Sequence, residues 1–463
     1  MTIAVLGGGQ LGRMLALAGH TLDLELRFLD PAPDAAAGRV APLVAGDFAD
    51  PAVISRWLEG ATVATYEFEN LPFSVVEYVA GKVRVLPPLE ALRVGQERAL
   101  EKAALVSAGI PVADHASVET RADLDLAFAS LHASVLKTRR LGYDGKGQAV
   151  LRSAADLDPA WARLGGQPLI LERFVPFQRE LSILSVQDRA KNKAFYPLIE
   201  NHHQDGILRL SIAPAPMTSP ATTRLAEGYA ARLLERFDYA GLLTIELFDD
   251  GQTLIANEIA PRVHNSGHLT IEAAETSQFE NHLRAIADLP LGSTRIPRPA
   301  AMVNLIGTLP RAEDVLAVLG AHLHRYGKAE KPGRKVGHIT VIADDYAALA
   351  DKLEALSKVV FVPASAIALS LIHIYVPAEL PRRSSRHADR WQRRGRQGAG
   401  RGHPQGLRLG GGRSRRHRDL ALSRADVHCL GALRRQDRRL EPRLQAAAEV
   451  KRGPSLPNGP RLR

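Results

Sequence analysis

The chain has 463 residues, 45% of them hydrophobic and 24% charged, which is room for two to four domains of ordinary globular composition. It contains no run of about 18 apolar residues and no segment of secretory-signal type, which excludes a spanning helix and leads us to expect a cytoplasmic protein. Its one cysteine, Cys429, excludes a disulfide framework and a cysteine-built zinc site but not a metal held by oxygen atoms, and its formal net charge of +10 is strongly segregated.

Residues 376–463 hold 22 Arg and one Lys against seven acids, so residues 1–375 are acidic on balance and no nucleic-acid partner is expected for the folded body. The opening TIAVLGGGQLGRMLALAGHTLDLELRFLD predicts a strand, a glycine turn, an amphipathic helix and a second strand ending at Asp30. APLVAGDF, a helix over 51–59, the strand ATVATYEF, a helix over 73–79 and a strand KVRVLP continue the alternation, so residues 1–100 read as an α/β domain. A helix over 96–108 then leads through GIPVADHASV into a second domain over 101–290.

In that domain the strands ASVLKTRR and AVLR flank the glycine loop LGYDGKGQ. LILERFV, RELSILSV and AFYPLIENHHQDGILRLSIAP read as strands of one mostly antiparallel sheet. A helix over 220–237 places Leu225, Tyr229, Leu233, Leu234 and Phe237 at helical spacing, and the strands LLTIELF and TLIANEI follow around the turn Asp249-Asp250-Gly251. A small β-rich unit is expected over 291–360, closed by the helix DYAALADKLEALSKV, and an Arg/Gly/Pro-rich tail without periodicity over 361–463.

Gly7, Gly9 and Gly12 fit G-x-G-x-x-G after a strand, with Asp30 closing the next one, which suits a dinucleotide, another phosphate ligand or simply a tight turn. Lys137 ends a strand just before Gly142, Gly145 and Gly147, a spacing that can lay backbone N–H groups on a polyphosphate or form a surface hairpin. Glu246 and Glu258 lie on neighbouring strands. With Glu246 opposite Ala256, Glu258 falls one diagonal step away on the same face, roughly 7–8 Å off, where with Asn257 it could share magnesium. A register one residue different would part them.

APRVHNSGH gathers Arg262, His264, Asn265, Ser266 and His268 in one turn, a donor set for an oxyanion or a reacting carbonyl group. Lys328, Arg334 and Lys335 suit a substrate monophosphate or a solvated basic loop. Glu67 and Glu69 end a first-domain strand, where α/β folds bind ligands or cap helices.

Together GGGQLGRM, TYEFEN, KTRRLGYDGKGQ, FYPLIENHHQDGILR, NEIAPRVHNSGH, SQFENHLRAI and PGRKVGHITV closely resemble the 5-(carboxyamino)imidazole ribonucleotide synthases of the ATP-grasp superfamily, over residues 1–358 and in family order. The resemblance implies a Rossmann-like pre-ATP-grasp domain, an ATP-grasp domain and a small C-terminal β-rich domain, an α/β and α+β arrangement in which two sheets clasp ATP. It carries ATP onto Arg93, Lys137, the loop Gly142, Tyr143, Asp144, Gly145, Lys146, Gly147 and Gln148, the hinge Glu172, Arg173, Phe174 and Val175, and Glu180, His203, Asn257 and Glu258. It gives Mg2+, with Mn2+ as a substitute, to Glu246 and Glu258, bicarbonate to Arg262, His264 and Asn265, and aminoimidazole ribonucleotide to Gln10, Glu69, Tyr143 and Asp144, its phosphate meeting Lys328, Arg334 and Lys335. Lys137 and Arg262 would offset charge during catalysis, and a homodimer is the expected assembly.

Biotin-dependent carboxylases and formate-using glycinamide ribonucleotide transformylases share the clasp and stand as alternatives. A nicotinamide dehydrogenase would rest on the glycine turn alone, and an arginine-rich nucleic-acid binder on the tail alone. The tail reads either as a chimeric or out-of-frame extension of the enzyme or as a disordered polyanion-binding segment.

Overall fold

The computed structural model describes residues 1–142, 145 and 147–363, so the readings of Tyr143, Asp144 and Lys146 and of the basic tail beyond 363 lie outside the described residues. Strands β1 (Thr2–Leu6), β2 (Glu25–Asp30), β3 (Leu43–Ala45) and β4 (Ala61–Tyr66) form a parallel sheet in the order β3-β2-β1-β4. Helix Gln10–Thr21 buries Leu11, Met14 and Leu15, the face that the sequence periodicity marks. At the glycine turn the Glu67 carboxylate accepts the N–H groups of Gly9 and Gly12, each at 2.6 Å, and Asp30 accepts that of Gly8 at 2.8 Å. The donors that would cradle a dinucleotide phosphate are therefore occupied by the protein's own carboxylates, and the nicotinamide reading is overturned.

KVRVLP does not form a strand. Val85 makes one isolated bridge to Ala64, because Pro87 and Pro88 lack the N–H groups a ladder needs. The helix expected over 96–108 divides into Leu89–Gly95 and Arg98–Ser107, since Glu97 takes an extended backbone and its carboxylate caps Ala99 and Leu100.

The clasp is built from two antiparallel sheets. Strands β5 (His115–Val118), β6 (Ser134–Thr138), β7 (Gln148–Leu151) and β8 (Leu169–Arg173) form the smaller one in the order β5-β8-β6-β7. LILERFV thus pairs with the Lys137 strand in the small sheet and does not, as expected, share a sheet with RELSILSV. The larger sheet contains β9 (Arg179–Gln187), β10 (Lys193–Phe195), β11 (Ile199–Gln204), β12 (Ile207–Ala213), β13 (Gly241–Asp249), β14 (Leu254–Ala260), β15 (Ala300–Ile306), β16 (Ala321–Arg325) and β17 (Lys335–Ile342). Its order is β14-β13-β9-β11-β12-β15-β17-β16, with β10 on β9. The C-terminal strands extend this sheet through the β12–β15 pairing, so they do not make a sheet of their own.

Helix Pro220–Arg236 packs Ala226, Tyr229, Ala230, Leu233 and Leu234 in one hydrophobic cluster with Ile183, Leu243 and Ile245 of β9 and β13, whereas Leu225, expected inward, is 36% exposed. Val362 is buried with Leu349, Leu353 and Leu356 of helix Tyr346–Ser357, and Val359 and Val360 pack against the same cluster. The folded body therefore runs past Lys358, the end of the matching motifs.

A chain ending at Pro363 should unfold at the same urea midpoint as the full chain, because it keeps every residue of the described core. One ending at Lys358 should be less stable by about 2 kcal/mol, having lost the buried valines. Equal midpoints for all three chains would refute the assignment of Val362 to the core.

Candidate active site

Two cavities open on the clasp, one of about 490 Å³ that the first domain also lines and one of about 320 Å³ between the sheets. Arg98, Gly142, His203, Gly206, Glu246 and Glu258 line both, so the two share a junction. The small sheet's glycine loop reaches the β11–β12 hairpin there. Asp205 and Gly206 both have positive φ, 54° and 72°, as a tight hairpin requires, and a Cβ on Gly206 would come within 2.4 Å of the Gly145 Cα.

At the junction the acidic pair departs from the expected register. A bulge between Glu246 and Leu247 pairs Leu247 with Ala256 but Glu246 with Glu258, so Asn257 is the extra residue and the two carboxylates stand directly opposite each other. Each is balanced from outside the hairpin: His264 Nε2 lies 3.0 Å from Glu246 and Arg98 donates to Glu258 at 3.0 Å. Burial works to raise the Glu246 carboxyl, but His264, His203 and Lys335 together hold it below the ordinary carboxylate range. Facing hard-oxygen ligands fit a magnesium ion, which takes one or two carboxylates and completes its shell with phosphate oxygens and water. Among the described residues no third His, Cys, Asp or Glu completes a metal-binding cluster with them.

On the small-sheet side Lys137 donates to Glu172 at 3.1 Å and to the Asn257 amide oxygen at 3.3 Å. Lys102, fully buried, lies 3.2 Å from the same Glu172 and donates to the Asn257 carbonyl at 2.7 Å. Burial would raise the Glu172 carboxyl, but Lys137, Lys102 and Arg98 bring it down to about 2. One carboxylate serving several cations leaves Lys137 below its ordinary amine value, through burial first and the neighbouring Arg98 and Lys102 second. The surplus cation suits an incoming polyphosphate. Glu180, 2.9 Å from His203, lines this second cavity with Arg173, Phe174, Val175, Gly145 and Gln148. Gly147 instead accepts the Thr138 N–H at 2.8 Å, holding the loop's end.

Arg93 is not at this site. Its guanidinium pairs with Glu90 on its own helix at 2.8 Å and is largely exposed, and Arg98 is the arginine that lines both cavities. Glu101, another residue that the sequence reading missed, lines the larger cavity and accepts the Ile259 N–H at 2.6 Å, with burial raising its carboxyl to about 8. Arg98 could have been found from the capping Glu97, which starts the helix one residue before it. Lys102 and Glu101 carry no such signal, because their neighbours are distant in sequence.

The anion turn is held by Gln278, which accepts the His264 N–H at 2.9 Å and donates to the His264 carbonyl at 2.7 Å. Arg262 forks onto Glu69, and Asn265 exchanges amide hydrogen bonds with Asn304. Of the five donors expected in this turn, Arg262, His264 and Asn265 line the larger cavity, while Ser266 and His268 are fully buried behind it. Gln10, Glu69 and Lys335 line the same cavity. Lys328 bonds to Gln10, and Arg334 is exposed and donates to the Ala329 carbonyl at 3.3 Å.

Three family models match the chain: the ribonucleotide synthetase preATP-grasp domain over residues 1–96, the ATP-grasp domain over 103–279 and the phosphoribosylaminoimidazole carboxylase C-terminal domain over 300–352. A Pseudomonas aeruginosa protein named N5-carboxyaminoimidazole ribonucleotide synthase is 51% identical over 350 residues, covering 75% of this chain and 96% of that one. The crystal structure of N5-carboxyaminoimidazole ribonucleotide synthetase from Thermus thermophilus aligns with a TM-score of 0.75 at 51% identity, covering 79% of this chain and 99% of that one. The Aspergillus clavatus synthase in complex with ADP and 5-aminoimidazole ribonucleotide aligns at 0.72 and 33% identity, covering 77% and 98%.

The fork between Arg262 and Glu69 gives the site an acid limit. Burial opposes it, but Arg262 brings the Glu69 carboxyl from the ordinary 4.5 down to about 2. A carboxyl depressed in the folded state adds stability that is present above its unfolded value and is lost as pH falls through its folded one. Wild type should therefore lose more unfolding free energy than Glu69→Gln between about pH 5 and about pH 2. Parallel stability curves for the two proteins in that window would rule the pairing out.

Proposed function

Because the chain belongs to the N5-carboxyaminoimidazole ribonucleotide synthase family, we propose a role for each group around the junction of its two cavities. The enzyme is an ATP-dependent ligase that carboxylates 5-aminoimidazole ribonucleotide to N5-carboxyaminoimidazole ribonucleotide in purine biosynthesis. Biotin-dependent and formate-using alternatives give way to this assignment. The observation that carries the residue-level reading is Glu246 facing Glu258 at the shared junction, with Lys137 to one side and the Arg262 turn to the other.

ATP enters the smaller cavity against Phe174 and Val175 with its phosphates toward Lys137, Arg98 and the Gly142–Gln148 loop. Glu246 and Glu258 would hold magnesium, which would supply charge neutralisation on the phosphates. Bicarbonate lies on Arg262 and Asn265, and its oxygen attacks the γ-phosphorus to give carboxyphosphate and ADP. The exocyclic amine of the ribonucleotide takes the carboxyl group, losing one proton as phosphate departs. Glu69 holds the Arg262 fork in place for the anionic intermediate, as a fixed donor set must be held to stabilise developing charge. Water must be kept from carboxyphosphate, which it would hydrolyse.

We further propose the ribonucleotide's phosphate at Lys328, Arg334 and Lys335, and domain limits at 100 and 290 with the third domain running to 363. Assembly as a homodimer is proposed from the family resemblance, and residence in the cytoplasm from the sequence pattern described above.

Purified full-length protein should release ADP only when bicarbonate and aminoimidazole ribonucleotide are both supplied. Equal release with glycinamide ribonucleotide, or with biotin, would overturn the assignment. Glu258→Gln should fold normally yet lose about a hundredfold or more in kcat, a carboxamide being a poorer magnesium ligand than a carboxylate. Excess magnesium should recover part of that loss, and wild-type turnover at limiting magnesium would remove Glu258 from the metal site.

A further inference from the structure

The basic residues around Gln10 and Lys335, two residues that line the larger cavity, come from three separate segments. Arg39 ends the short 3-10 turn Ala36–Arg39 in the connection from β2 to β3, at the carboxyl edge of the parallel sheet where α/β folds hold their ligands. That segment is pinned: the Ala37 N–H donates to the Gly8 carbonyl at 2.8 Å, His20 Nε2 lies 3.0 Å from the Val40 carbonyl, and Ala36 and Ala37 are buried. From it the Arg39 guanidinium lies flat against Gly327. A Cβ on that glycine would come within 2.8 Å of Nη1, 2.9 Å of Cζ and 3.0 Å of Nε, and the backbone there has φ of 74°. Glycine is required on both counts.

The next residue is Lys328, whose amine bonds to Gln10 and is depressed by burial and by the charges of Arg334 and Lys335. Arg39 itself makes no hydrogen bond or ion pair among the described residues. Resting on the reading of Lys328, Arg334 and Lys335 as a phosphate site, we propose that Arg39 is a further ligand of the substrate's phosphate, reaching it from the first domain across Gly327. A guanidinium presents a planar fork to two oxygens of a dianionic phosphate, which the lysines, as point charges, do not. Its contribution is to binding and not to the carboxylation step, because the phosphate is not altered in the reaction.

The test varies aminoimidazole ribonucleotide at saturating ATP and bicarbonate in full-length wild type, Arg39→Ala and Arg39→Gln. KM for the ribonucleotide should rise about tenfold in both variants while kcat and the KM for ATP stay within about twofold. The unphosphorylated riboside should be used equally poorly by all three proteins. An unchanged ribonucleotide KM, or a loss on the riboside as large as on the ribonucleotide, would overturn the proposal. Lys335→Ala serves as the reference. A raised KM there beside a normal KM in the Arg39 variants sinks Arg39 alone, whereas a normal KM in Lys335→Ala sinks the phosphate reading beneath it.

Discussion

Burying several charges at one point is the constraint around which this molecule is arranged. Glu246 and Glu258 face each other across a bulged hairpin, and Glu172 lies close by beneath Lys137 and Lys102. Two facing carboxylates repel, and a buried unpaired charge costs several kcal/mol, so each needs a partner from elsewhere. Those partners arrive from different parts of the chain: Arg98 from the helix after the first domain, Lys137 from the small sheet, and the His264 ring from the turn after β14. The pairs join the parts of the clasp.

The balance is incomplete in a direction that suits the reaction. Lys137 is held below its ordinary amine value because burial and neighbouring cations oppose its charge, and the Lys328 corner has the same character for the same reasons. Polyphosphate at the first and a monophosphate at the second would relieve that opposition on binding. Between them, Arg262 has a carboxylate of its own in Glu69, and the turn is fixed by Gln278 and Asn304. A donor set that is preorganised in this way loses little by reorganising when charge develops on a bound intermediate.

The glycine turn after β1 illustrates how local pattern and function separate. Its spacing fits a dinucleotide fingerprint, but Glu67, far along the chain, already occupies the N–H groups of Gly9 and Gly12. The turn instead serves as a rigid base from which Gln10 reaches Lys328 and to which the Arg39 segment is tied. No reading of those glycines by spacing could have distinguished the two uses, since the competing carboxylate belongs to another strand.

Sequence by itself determined the βαβ start, the long helix after Ser219, the hairpin of the acidic pair and the density of donors in the Arg262 turn. These are set by periodicity, by turn chemistry and by capping within a few residues of each other. The family resemblance attached proposed roles to Lys137, Glu246, Glu258 and Arg262, which spacing had already singled out. Tertiary structure alone decided the sheet to which LILERFV belongs, the choice of Arg98 over Arg93, the roles of Lys102 and Glu101, the burial of His268 and the packing of Val362. It also placed Glu246 opposite Glu258, because a bulge changes the register by one residue without leaving a mark that alternation can show. Charge pairing and burial depend on which segments meet in space, and residues separated by more than a hundred positions carry no local trace of that meeting.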